Sequence, residues 1–255
     1  MASRNTWTRE ELILAYNLYC KLPYGHFNVS SKEVQHLAKL IGRTPGAVAF
    51  KLVNFVNIDP KQRELGRKGA SNGSRLDKII FEEFSRDFDA AFYESEKLLA
   101  QKESSENLQK IENLIKIDKE GGDTIRNVKA RLNQDYFRTI VLSNYAGHCA
   151  ITDIGIKETL VASHIKPWSK DEVNRLNPRN GICLSAVFDK LFDRGLITID
   201  SDFKVIYSSR LKSYAEEKFY TEHFAPFENK LIRLPVKFLP DNDLLKYHQD
   251  NVFIG

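Results

Sequence analysis

The residues best suited to chemistry lie between Cys149 and Gly195. His164 precedes an Ile-Lys-Pro-Trp stretch, and Asp189 and Asp193 are four residues apart in a segment with a helical pattern. That spacing places both carboxylates on one face of a helix. A neutral imidazole can take a proton from water near pH 7, and carboxylate oxygens favour Mg²⁺ or Mn²⁺ over Zn²⁺. One histidine and one such metal would suffice to hydrolyse a phosphodiester.

The elements that must position these residues are predicted to be a hairpin, a loop and a helix. Residues 149–153 and 158–163 have the pattern of two short strands around a turn at Gly155. A loop containing proline and tryptophan follows. Asn180 and Gly181 are then expected to lead into the helix that carries the two aspartates.

Three motifs of this segment, SHIKPW, NPRNG and FDKLFDRG, resemble those of the HNH, or ββα-metal, endonucleases, in a branch found among restriction-type enzymes. The similarity extends from about residue 133 to residue 208. It implies that His164 is the general base and that Asn180 holds the imidazole and the loop in place.

The same resemblance implies a set of metal ligands. The helix would supply Asp189 and Asp193, and Ser163 occupies the position before the base, where relatives often have Asp or His. The alternative is that the two aspartates are surface charges that pair with Lys190 and Arg194. Four basic residues are expected to contact DNA phosphates, with plain solvation as the alternative: Lys166, Arg179, Lys190 and Arg194.

The resemblance also implies a cofactor and partners. We expect one divalent metal, Mg²⁺ first and Mn²⁺ second, and no structural zinc, because the chain has no paired CxxC motifs. Because one such site cuts one strand, cleavage of both strands needs two protomers or two encounters, and we expect a homodimer. Restriction or phage defence is the suggested role, and the need for an activating ligand or partner stays open.

The N-terminal region is predicted to be helical. Capping-box patterns at Thr8 and at Ser30 begin two helices, and Thr44 with Pro45 begins a third. The second and third helices resemble a helix-turn-helix. In that interpretation the third would present three residues outward to phosphates and base edges, namely Arg43, Lys51 and Asn54. A small helical bundle with solvated charges is the alternative.

The rest of the chain completes an α+β prediction. A basic, glycine-containing loop over residues 61–75 leads to amphipathic connector helices from Leu76 to about Lys119, and a further helix covers Ile125 to Tyr145. The connector helices contain two apolar stripes, first Ile79, Ile80, Phe84 and Phe88, then Leu108, Ile111, Leu114 and Ile115. A β-hairpin is expected after Leu196, and a closing helix near the end. The predicted domains are a helical region at 1–60, a connector at 61–132, and the ββα-metal nuclease with small flanking strands at 133–255.

Composition sets broad limits. The 255 residues carry a net charge of +4, and residues 1–70 contain eleven basic against five acidic side chains. No apolar run approaches the ~20 residues that span a bilayer, so we expect a cytoplasmic protein without a membrane partner. Three irregularly spaced cysteines predict reduced, buried thiols. Two alternatives remain: a non-catalytic DNA-binding regulator with a degenerate HNH unit, and a nuclease that acts on RNA.

Overall fold

The computed structural model describes residues 6–70, 73–103, 123–171 and 173–255. For residues 123–132 it describes the backbone only. The chain forms two compact units, Met1–Tyr136 and Phe137–Gly255. Many helices and two small antiparallel sheets make it an α+β protein, as predicted. Within the described ranges, none of the helices has the length and apolar character needed to cross a membrane.

The first unit is helical throughout its described part. Tyr16 and Tyr19 of the first helix are buried against Phe55, Phe81 and Phe84, and these rings form its core. The helices are α1 (Arg9–Lys21), α2 (Lys32–Leu40), α3 (Pro45–Ile58), α4 (Pro60–Glu64), α5 (Arg75–Arg86) and α6 (Phe88–Glu103), and α7 (Asp123–Asn144) continues into the second unit.

Two of the three predicted helix starts are confirmed. Thr8 caps α1 in a complete capping box, and Thr44 caps α3 with Pro45 as its first residue. The box predicted at Ser30 is wrong. The Ser30 hydroxyl donates instead to Asn28 Oδ1 at 2.6 Å, and α2 begins one residue later behind Ser31.

The outward orientation expected for the third helix is also wrong. Lys51 is 6% exposed, and its Nζ donates to the two Asp77 carboxylate oxygens at 3.0 and 2.9 Å. Asn54 is 2% exposed. Arg43 forms a 2.7 Å ion pair with Glu11. The reason is that α1 and α5 pack around α3, so the residues expected to contact DNA are engaged inside the unit.

The connector is helical where it is described. Ile80, Phe84 and Phe88 are buried as expected, whereas Ile79 is exposed. Part of the predicted basic loop forms the short helix α4. The second apolar stripe lies outside the described residues: Leu108, Ile111, Leu114 and Ile115.

The second unit has a ββα arrangement at its centre. Strands β1 (Leu160–His164) and β2 (Gly181–Ser185) are antiparallel, with His164 opposite Gly181, and α8 (Ala186–Asp193) follows directly. The remaining elements are β3 (Ile197–Ile199), β4 (Val205–Tyr207), α9 (Ser209–Lys212), α10 (Lys218–His223) and α11 (Asn242–Asn251). The antiparallel pair of β3 and β4 confirms the predicted hairpin, and α11 confirms the predicted closing helix.

The strand pairing predicted for the catalytic segment is wrong. Residues 149–153 form turns, in which the Cys149 N–H donates to the Ile154 carbonyl at 2.9 Å. The partner of β1 is β2, which lies beyond the loop, where a helix start was expected. Because all five β2 residues are buried, their sequence lacks the alternation that marks a strand.

Candidate active site

His164 lies at the end of β1, between two aromatic rings. Its imidazole stacks on the Phe137 ring of α7, with centroids 3.8 Å apart and planes 10° apart. Trp168 meets it edge-on at 5.5 Å. Burial lowers the pKa of His164, and the hydrogen bond to the Arg175 carbonyl opposes that shift only in part. The imidazole is therefore neutral at pH 7, as a general base must be.

The hydrogen bond to His164 defines its tautomer. Nε2 lies 3.0 Å from the Arg175 carbonyl oxygen. A carbonyl can only accept, so the proton is on Nε2 and the lone pair is on Nδ1. No described residue forms a hydrogen bond with Nδ1. That nitrogen is free to accept a proton.

Asn180 holds the loop as expected, but its side chain forms no hydrogen bond with the imidazole, which differs from its expected role there. The side chain is fully buried. Its Oδ1 accepts from the Lys166 N–H at 2.8 Å, and its Nδ2 donates to the Lys166 and Asn174 carbonyls at 3.1 and 3.2 Å. These bonds shape the loop that presents the Arg175 carbonyl. Arg175 could not be identified from the sequence, because its part in the site depends on its backbone carbonyl, which every residue has.

Gly181 permits α7 to approach the hairpin. A Cβ at this position would lie 2.4 Å from Val141 Cγ2 and 2.8 Å from Phe137 Cζ. Any larger residue would push Phe137 away from the hairpin, and Phe137 is the ring on which His164 stacks. The glycine of the NPRNG motif is thus required by packing.

On α8, the charge of Asp189 affects the ionisation of Asp193. Burial raises the pKa of Asp189. Burial likewise raises the pKa of Asp193, and the negative charge of Asp189 raises it further. The two carboxylates are therefore close enough to repel each other, as their spacing predicted, and a cation between them would relieve that repulsion.

Ser163 supplies a third oxygen, beside the Asp189 carboxylate. It is 3% exposed, and its Oγ has no hydrogen bond of ordinary geometry with any described residue. The hydroxyl is nevertheless near enough to Asp189 to favour the ionised carboxylate. No set of three or more His, Cys, Asp and Glu residues suited to a metal occurs in the described part of the chain. A hydroxyl and two carboxylates still fit Mg²⁺, which commonly takes one or two carboxylates and keeps several waters.

The four predicted phosphate contacts divide into two groups. Lys166 is occupied, because its Nζ lies 3.2 Å from the Asp171 carboxylate and 4.9 Å from the Tyr247 ring centre. Lys166 therefore has an acidic partner within the protein, and its contact with a DNA phosphate stays a prediction. The other three form no ion pair with any described residue: Arg179, Lys190 and Arg194. Of these, Lys190 and Arg194 are exposed.

One segment of the chain, which contains the candidate site, matches a known protein family. Residues 149–200 match the family model described as HNH endonuclease. No curated protein matches the chain. The matched segment contains the ββα unit, His164 and the two aspartates. An HNH endonuclease domain indicates a nuclease that acts on nucleic acid.

Proposed function

We propose that this protein is a metal-dependent endonuclease that hydrolyses phosphodiester bonds of DNA, with His164 as the general base. The observation that carries the proposal is the free Nδ1 of a neutral imidazole within the segment that matches the HNH model. Preference for DNA over RNA rests on the resemblance of the motifs.

The proposed step is hydrolysis by an activated water. His164 Nδ1 takes a proton from the water, whose oxygen attacks phosphorus as the bond to the 3′ oxygen breaks. The leaving oxygen is protonated from solvent, which gives a 5′-phosphate and a 3′-hydroxyl. Through this step Nε2–H stays bonded to the Arg175 carbonyl, which stabilises the imidazolium that forms.

Asp189, Asp193 and Ser163 would hold the divalent cation, Mg²⁺ first and Mn²⁺ second. When bound, such an ion polarises the phosphate oxygens and stabilises the charge that develops on the leaving oxygen. Three basic side chains that form no ion pair with a described residue, those of Arg179, Lys190 and Arg194, would neutralise phosphates along the bound strand.

Cleavage of supercoiled plasmid tests the proposal. Wild type, His164→Ala and the control His36→Ala, which alters an exposed histidine of the first unit, are incubated with Mg²⁺, Mn²⁺ or EDTA. We expect nicking by wild type and by the control, and none in EDTA or with His164→Ala. Cleavage that survives in His164→Ala excludes this base. Binding of DNA without cleavage under any metal indicates a regulator, and digestion of RNA alone replaces DNA as the substrate.

We further propose that the enzyme acts as a homodimer in restriction or phage defence, with the motif resemblance as support. One site cuts one strand, so a double-strand break needs either two protomers or two encounters, and a dimer would cut both strands in one encounter. Light scattering gives the mass in solution, and the ratio of linear to nicked plasmid shows whether both strands are cut in one encounter. A monomer that only nicks contradicts the dimer.

A further inference from the structure

An open cavity of about 540 Å³ lies at the first turn of α8 in the second unit. Sites for small molecules commonly have this size and an apolar wall with a few polar groups. Exposed apolar residues converge on it: Ile156 is 59% exposed, Phe219 56% and Val187 52%. Four aromatic rings line the cavity, those of Phe188, Phe219, Phe224 and Phe227.

The cavity also contains unused hydrogen-bonding groups. Ser185 is 7% exposed, lines the cavity, and its hydroxyl has no hydrogen bond with any described residue. It occupies the N-cap position of α8 without capping it, so the first N–H groups of this eight-residue helix also lack a side-chain acceptor. The site therefore offers several donors to one acceptor group of a ligand.

Glu222 lines the cavity as well and limits what can enter it. Among the described residues, its carboxylate forms ion pairs with Lys218 at 3.7 Å and His223 at 4.0 Å, and its side chain is 52% exposed. A carboxylate repels a phosphate but accepts from an amino or imino group. The cavity thus favours a flat ring with an acceptor edge and a donor edge.

We infer that this cavity binds one nucleobase of the nucleic acid on which the enzyme acts, an inference that rests on the proposed function. The phenylalanine rings would stack on the base, Ser185 and the α8 N–H groups would donate to its carbonyl or ring nitrogen, and Glu222 would accept from its amino group. The position is compatible with this occupant. Asp189 lies four residues after Ser185, about 6 Å along the helix, whereas Ser185 pairs with Leu160, at the end of β1 opposite to His164. A base held here would therefore belong to a nucleotide close to the scissile phosphate but not to the one that His164 acts on.

Binding of free deoxynucleosides tests the inference without any need for cleavage. Saturation-transfer NMR is recorded on the 255-residue chain with the four deoxynucleosides, and with indole as an aromatic probe that lacks an acceptor edge. The variants are Ser185→Ala and Phe219→Ala. Tyr214→Ala is the matched control, because Tyr214 is a half-exposed aromatic outside the cavity.

We expect transfer to base protons in wild type and in Tyr214→Ala. Affinity should fall roughly fivefold or more in Phe219→Ala, through lost stacking, and roughly two- to tenfold in Ser185→Ala, through one lost hydrogen bond. No transfer to any nucleoside overturns the inference, as does indole binding that matches the nucleosides and ignores Ser185→Ala. A wild-type dimer that Phe219→Ala converts to a monomer also overturns it, because the surface is then a protein interface. An inactive protein that binds nucleosides in this pattern would refute the nuclease and leave the base site standing.

Discussion

His164 and His248 occupy closely similar surroundings in the second unit. The His248 ring stacks on Phe192 with centroids 3.7 Å apart and planes 9° apart, against 3.8 Å and 10° for His164 on Phe137. Nε2 of His248 donates to the Phe192 carbonyl at 3.1 Å, as Nε2 of His164 donates to a carbonyl at 3.0 Å. Both rings have a lowered pKa because they are buried.

The two histidines differ at Nδ1. The Thr198 hydroxyl donates to His248 Nδ1 at 2.9 Å, so every polar atom of that ring has a partner. No described residue forms a hydrogen bond with His164 Nδ1, which therefore keeps its lone pair, and His164 directly follows Ser163 in β1. A neutral, oriented imidazole is therefore common to His248 and to the proposed general base. The Nδ1 lone pair, which has no partner among the described residues, distinguishes His164.

The largest expected difference between the two histidines appears when each is replaced in turn by alanine. His164→Ala should lower the initial rate of plasmid nicking by up to about 10⁴-fold. His248→Ala should lower the melting temperature instead, because it leaves a cavity and an unpaired hydroxyl in the core, and should leave the rate per folded molecule within about twofold. Equal losses of rate in both variants, at a temperature where both are folded, would contradict the assignment of roles.

The second largest effect is expected from replacing Asp189, the proposed metal ligand, in the same unit. Asp189→Asn should slow cleavage about 10³-fold, since a lost ligand weakens stabilisation of the charged transition state by several kcal/mol. Raising the Mn²⁺ concentration should restore part of the rate. The control is Asp250→Asn, on the exposed side of α11, which should leave the rate unchanged. A slow rate in both variants would indicate a general charge effect on DNA binding.

The dependence of the free energy of unfolding on pH should reveal the lowered pKa of His248. Its pKa is lowered to about 4, below the 6.5 of an unfolded chain. Between these values the unfolded state binds more protons, so stability is complete above pH 6.5 and falls as the pH drops toward 4. The loss amounts to ~3 kcal/mol. Urea unfolding of wild type and His248→Gln at several pH values measures it, and the difference between the two proteins should shrink toward acid pH. A constant difference would contradict a buried, neutral His248.

The smallest expected effect comes from making His248 resemble His164. Thr198→Val removes the hydroxyl that donates to Nδ1 and nearly preserves volume, so it should cost about 1–2 kcal/mol of stability through the unpaired nitrogen. Cleavage should not change. Measured by urea unfolding, a stability equal to that of wild type would mean that the Thr198 hydroxyl does not satisfy the ring.

The sequence alone determined the local features of this protein. Caps at Thr8 and Thr44 began helices where predicted, and the alternation after Leu196 formed a hairpin. The four-residue spacing of Asp189 and Asp193 brought two carboxylates into mutual influence. Each of these features depends on residues within a few positions of one another, so periodicity and cap chemistry are sufficient to predict them.

The contacts between residues far apart in the chain could be seen only in the tertiary structure. The partner of β1 is a buried strand beyond the loop, and its uniform apolar sequence did not distinguish it from a helix start. Lys51 lies against Asp77, which belongs to a helix beyond the predicted helix-turn-helix. The tautomer of His164 depends on the Arg175 carbonyl, whose position results from the loop that Asn180 holds. Burial and backbone hydrogen bonds between remote segments depend on packing, and residue spacing does not encode them locally.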